Sequence, residues 1–287
     1  MIGSHPQKGK ISMRRWVALA AAALLAVSVT PGTATAQAAP PHPLQAIKKQ
    51  LHSGHGVRLA ELSWVTIKKE RVTVLRSFSD LQLSPRGVVG YDLSVKLEPL
   101  EDEGPAYDAL VSANMLDQVQ ITHAGGATYM IGDFDSRPLP TGKSWIRLTT
   151  PLPDMYTNQS VDLFNPRIRT ALLRGKTGKA VSGGGRLYQG VVTSARLEKL
   201  RTGKTIKDKS KVLWRLWTDA KGLPLRLRST YFLDLEFLKA EVSTETRFRD
   251  WGVPMVITPP PASQVVNESE LPPFTFELPA DLLKATS

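Results

Sequence analysis

The side chains that can attack, titrate or bind metal are few in this sequence, and they are scattered. It has five histidines and no cysteine in 287 residues, which excludes disulfides, thiolate catalysis and cysteine-based zinc or iron sites. His5 precedes an apolar run, His42, His52 and His55 crowd one short segment, and His123 stands beside a Gly-Gly pair. His52 and His55 have a spacing that could share a metal. Glu61 is their only nearby carboxylate, however, so a solvated helix end accounts for them better. Ser182-Gly183-Gly184-Gly185 lacks the Gly-x-Ser-x-Gly frame of a nucleophile elbow and reads as a flexible link. Glu101-Asp102-Glu103 is not followed by the ligand spacing of a calcium loop and reads as solvated. The expectation is a protein that is not an enzyme and needs no metal or cofactor.

The elements around these residues are mostly strands. "VLWRLWTDAKGLPLRLRSTYFL" shows the pattern: Val212, Trp214 and Leu216 point one way, up to a turn at Asp219-Ala220-Lys221-Gly222. On the return, Leu223, Leu225, Leu227, Tyr231 and Leu233 share a face, and Arg226 and Arg228 share the other. The next strand sets Val242, Thr246 and Phe248 against Glu241, Glu245 and Arg247. Pairing the two places Arg226 and Arg228 across from Glu241 and Glu245, worth at most about 1 kcal/mol each but fixing the register. Upstream, turns are expected at Lys68-Lys69, Ser84-Pro85-Arg86-Gly87 and Gly125-Gly126. "RLYQGVVTSARLEKL" reads as a further strand. A short amphipathic helix is expected from Leu44 to His52. A second follows Asn165 as cap and Pro166 as first residue, with Gly175 as stop. The fold class is mainly antiparallel β (α+β), with about nine to eleven strands, one or two helices, and a sheet dry on one face only.

Residues 1–38 carry the marks of a signal peptide: Arg14-Arg15, an apolar run, and small residues ending in Ala36-Gln37-Ala38. Met13 is the expected working start, with cleavage after Ala38, or after Ala36 as second choice. Removing this segment takes four basic residues and no acid, lowering the net charge from +11 to +7. Residues 39–287 then form one exported domain with a Pro-rich tail. A basic exported protein meets anionic lipid or wall polymer rather than nucleic acid. The stretch from Arg196 to Lys211 concentrates that charge in Lys199, Arg201, Lys204, Lys207, Lys209 and Lys211. It reads either as a solvated loop or as a surface that docks on an anionic membrane or wall polymer.

Five segments together resemble a known family. They are "PLQAIKKQLHSGHGVRLAELS", "ATYMIGDF" with "GKSWIRL", "LYQGVV", "VLWRLWTDAKGLPLRL" and "TRFRDWGVPMVITPPP". In order and spacing they are similar to the actinobacterial LppX/LprAFG-type envelope proteins, which share a fold with the LolA/LolB lipoprotein carriers. The resemblance implies a half-open curved β-barrel around one to three helices, with an apolar cavity that holds acyl chains. The expected lining is Trp214, Leu216, Leu225, Leu227, Tyr231, Val242 and Phe248 from the sheet, with Ile168 and Leu172 from the helix. One departure is the lack of a lipid-anchor cysteine after the leader, so a diffusible or wall-retained carrier is expected. The dry face fits two readings: an exported lipid or lipoprotein carrier, or an envelope interaction or sensor module with a solid core that binds a protein or anionic wall polymer.

Overall fold

The computed structural model describes residues 40–98, 118–132, 137–235 and 238–272. The expected signal peptide and Glu101-Asp102-Glu103 lie outside them. The described residues belong to one compact unit. The elements are α1 (Pro43–Gln50), β1 (His55–Ile67), β2 (Glu70–Ser84), β3 (Gly87–Leu97), β4 (Val119–Ala124), β5 (Ala127–Ile131) and β6 (Trp145–Arg147). There follow α2 (Pro166–Leu173), β7 (Lys179–Ala180), β8 (Arg186–Thr193), α3 (Ser194–Thr202), β9 (Lys211–Thr218), β10 (Pro224–Leu235), β11 (Leu238–Pro254) and β12 (Val265–Asn267).

All twelve strands make one unclosed, curved sheet, ordered β12-β6-β5-β4-β3-β2-β1-β11-β10-β9-β8-β7. Every pair is antiparallel except β12 with β6. β1 lies at the centre, where β2 and the long return strand β11 flank it. The helices and residues 151–165 lie on the inner face, and they share one apolar cluster with it. The architecture is therefore the expected half-open barrel, with one strand more than anticipated.

Local chemistry explains the helix ends. Asn165 Oδ1 accepts from Arg167 N and Ile168 N at 3.0 and 3.2 Å, and Pro166 fills the first turn. His42 caps α1 by accepting from Leu44 N at 3.3 Å, a structural use of a histidine in the segment considered for metal. Two readings are corrected. "SARLEKL" is not strand: Thr193 Oγ1 accepts from Arg196 N at 3.2 Å, a helix starts, and Gly203 ends it at φ +82°. Nor is the Gly-rich run a free link, because a Cβ on Gly185 would meet the Thr218 carbonyl at 1.9 Å, so the backbones touch there.

The outer face gives the arginines partners. Arg226 pairs with Glu245, and Arg228 lies 3.7 Å from Glu241, as the alternation implied. Buried Trp64 lies between Arg71 and Arg228, whose guanidinium carbons stand 3.8 and 4.8 Å from its ring centre. Arg226 covers Trp217 at 4.6 Å. These arginines thus shield tryptophans that would otherwise face water.

Candidate functional site

Residues opposite one another on paired strands share a face, so the register divides the inner surface into bands. The deep end is apolar: Val57 opposes Leu81, and Leu59 opposes Phe248. There Phe248 and Trp251 stack at 5.7 Å with Phe164 over both, and Trp251 donates to the Pro224 carbonyl at 2.8 Å. Ile47 of α1 and Ile168 and Leu172 of α2 complete this core.

A polar belt crosses the middle of β2, β1, β11 and β10. Ser77, Glu61 and Thr246 form one row, and Ser63, Thr244 and Ser229 the next. Glu61 is only 4% exposed. Its carboxylate accepts from Thr157 Oγ1 (2.6 Å), Thr246 Oγ1 (2.6 Å), Asn158 N (2.7 Å) and, at 3.3 Å, from Ser77 Oγ and Asn158 Nδ2. Gln159 Nε2 donates to the carbonyls of Leu227 and Thr244, and its Oε1 accepts from Ser229 Oγ at 2.7 Å. Residues 157–159 therefore form a strap pinned to the sheet by a buried carboxylate and amide. Burial raises the Glu61 pKa above the ordinary carboxylate value, and the donors around it only partly oppose that. The strap is tied further along as well: Ser79 Oγ donates to the Tyr156 carbonyl at 2.8 Å, and Tyr91 OH to the Leu152 carbonyl at 2.5 Å. His123 meets Thr128 Oγ1 at 2.9 Å, and burial lowers its pKa, so it stands neutral in a packing role.

Beyond the belt lies a last band. Val72, Val65, Val242, Tyr231, Val212 and Val192 align across six neighbouring strands, β2-β1-β11-β10-β9-β8. Val212 is buried, Val72 is 36% exposed, and the other four are half-buried. Against this row, α3 and the loop after it border an open cleft of about 290 Å³, where Leu197, Ile206, Val212 and Tyr231 stand beside the polar Ser194, Glu198, Asp208 and Ser210, with Ser160 and Arg201 at its edge. A polar cavity of about 390 Å³ adjoins it at the same Ser160 and Arg201, with Asp154, Asn158 and Asp162 in its wall.

The expected lining residues therefore fall into three groups. Trp214, Leu216, Leu227, Phe248, Ile168 and Leu172 come together, but as members of the packed core. Tyr231 and Val242 stand in the partly open row. Leu225 does not share their face: a register shift between Pro224 and Arg226 makes it a bulge residue, 47% exposed. The basic residues are all exposed, Lys199 and Arg201 on α3, Lys204, Lys207 and Lys209 on the following loop, and Lys211 at the start of β9. Sequence reasoning missed Glu61, Asn158 and Gln159, and it missed Val65 and Val72, which flank the Lys68-Lys69 turn in register. Among the described residues, no group of three His, Asp or Glu is placed to hold a metal, and no helix is long and apolar enough to cross a membrane.

No family model matches the chain, that of the LppX/LprAFG-type proteins included, and no curated protein is similar to it in sequence. Among solved structures it is similar to a DUF1329 family protein from Desulfovibrio piger, at 9% identity and TM-score 0.29, over 75% of this chain and 96% of that one. It is similar to a LolA superfamily protein from Nitrosomonas europaea at 11% identity and TM-score 0.24, over 72% and 92%. A third likeness is to a putative outer membrane lipoprotein-sorting protein domain from Vibrio parahaemolyticus, at 11% identity and TM-score 0.22, over 72% and 89%.

Proposed function

We propose that this is an exported, non-enzymatic protein that binds the acyl part of a lipid or lipoprotein, against the last band rather than in the deep interior. The observation that carries this is the six-strand apolar row, left partly open, whose Val212 and Tyr231 border a cleft of about 290 Å³. An acyl chain laid there would gain roughly 0.8 kcal/mol per methylene removed from water. The polar belt marks the inner limit, because a chain pushed past it would strip Glu61 and Gln159 of their partners. The leader-like segment supports an extracytoplasmic place of action, and the apolar character of the open row supports the ligand class. The test is titration with a fluorescent fatty acid, with native mass spectrometry of the purified protein. Tyr231→Asp should weaken uptake at least about tenfold with the fold retained, since two or more methylenes lose their contact. Wild type that binds no fatty acid and carries no lipid would overturn the reading.

A second reading is favoured by the close association of Leu216, Leu227, Ile168 and Phe248 in one buried cluster. It makes the protein an envelope interaction module that binds a protein or an anionic wall polymer through α3 and its loop. That reading requires capture from cell-wall extract at low salt, lost at high salt, with Tyr231→Asp having no effect.

A further inference from the structure

We propose that the end of the half-barrel bearing the apolar row is a docking face for an anionic lipid bilayer, held on both flanks by basic segments. The orientation rests on the row being the acyl site.

The first flank is the β1–β2 turn. Lys68 and Lys69 take φ of +50° and +77°, the left-handed conformation that favours glycine or asparagine. Two lysines in succession are a costly way to build such a turn. What they add is charge at its tip, reinforced by Arg71 and opposed only by Glu70. The second flank is α3 with the loop into β9, where Lys199, Lys204, Lys207, Lys209 and Lys211 outnumber Glu198 and Asp208, while Arg201 also faces Asp162 across the adjoining polar cavity.

The register places both flanks at one end of the sheet. Ile67 next to the first turn opposes Ala240, while Lys211 opposes Thr193 and Val212 opposes Tyr231. Four strand spacings separate the flanks, about 20 Å. At physiological salt that exceeds the screening length of about 8 Å, so each flank engages its own headgroups. At this end Ile67 and Ile206 are exposed on the side of the row, and Val191, Leu213 and Phe232 on the outer face of the sheet. A polyanionic polymer has no use for five exposed apolar side chains. A bilayer accepts them among its headgroups and acyl chains while its anionic lipids meet the lysines. Docked this way, the cavity under α3 opens toward the membrane.

The test is partition of the purified protein onto vesicles of phosphatidylglycerol with phosphatidylcholine, against vesicles of phosphatidylcholine alone. K68E/K69E and K204E/K207E/K209E should each weaken partition onto the anionic vesicles at least about tenfold. R86E/K221E changes the turns at the opposite end of the sheet and should leave it unchanged. Equal weakening by R86E/K221E would reduce the interaction to net charge and overturn the docking face, as would wild-type partition by both flank variants. Fatty-acid uptake in solution separates this claim from the one beneath it. Flank variants that still take up the probe but leave the vesicles support the docking face. Flank-dependent partition by a wild type that takes up no probe keeps the docking face and removes the acyl site.

Discussion

The two ends of the sheet's inner face carry similar apolar residues and differ in what covers them. At the deep end Val57, Leu59 and Phe248 share one buried cluster with α1 and α2, which Leu216 and Leu227 join level with the belt, and almost nothing of them reaches solvent. At the other end Val65, Val72, Val242 and Tyr231 repeat the pattern with no helix laid fully over them. The difference is made by the belt around Glu61. A strap that must satisfy a buried carboxylate can cross the sheet at only one level, and the apolar surface past that level is left available. Alternation along strands therefore locates a dry face, whereas the cover decides whether that face is core or site.

The sharpest way to break this contrast is to place one charge in the covered core and one in the open row. Leu227→Glu should cost roughly 4–5 kcal/mol or more and prevent stable folding, because its environment offers the carboxylate no partner. Val242→Glu, in the open row, should lower the thermal midpoint by only a few degrees, read by circular dichroism. Next in size is the belt. Glu61→Leu should cost about 3 kcal/mol, since the Asn158 N–H and side-chain amide lose a buried acceptor. Glu61→Gln should cost far less, because the hydroxyls of Thr157 and Thr246 can turn to accept from its amide. The same pair of variants reports on pH. The folded pKa of Glu61 lies above its ordinary 4.5, so its contribution to stability is full below that value and is lost as pH rises through the raised one. Buried Asp162 contributes in the same sense. Urea unfolding at pH 5 and pH 8 should show a smaller fall in stability for Glu61→Gln than for wild type. Smallest is Leu225→Ser at the bulge, expected to change stability by under about 0.5 kcal/mol; a core-like loss there would contradict its exposure.

Much of the fold was legible because its signals are local. Lys68-Lys69 and Gly125-Gly126 mark turns, Asn165-Pro166 marks a helix start, and the alternating arginines predicted the pairs with Glu241 and Glu245. α3 was hidden because its nine residues follow a strand without a break, and its only start signal is the Thr193 hydroxyl. The bulge at Leu225 reversed one assignment, since a single extra residue moves a side chain off its expected face. The belt was not readable at all. Ser63, Ser77 and Thr244 on strands look like solvent-facing residues until their partners are known, and Thr246, placed on the dry face by alternation, gave no sign of the carboxylate it donates to. Those partners, Thr157 to Gln159, lie about 80 to 100 residues from both β1 and β11 in sequence. The open row was missed because openness depends on which segments fail to reach it, a property of three dimensions only.

The way the sheet finishes has a consequence for how the protein meets other chains. One border strand has two residues, the other has three and runs parallel to its neighbour. A newcomer chain seeking to extend the ladder meets these short borders, with Lys179 on the shorter one, and the part of β8 beyond its two-residue pairing with β7. The long central strands β1, β2, β10 and β11 are paired on both sides and are spared the templating that leads to fibres.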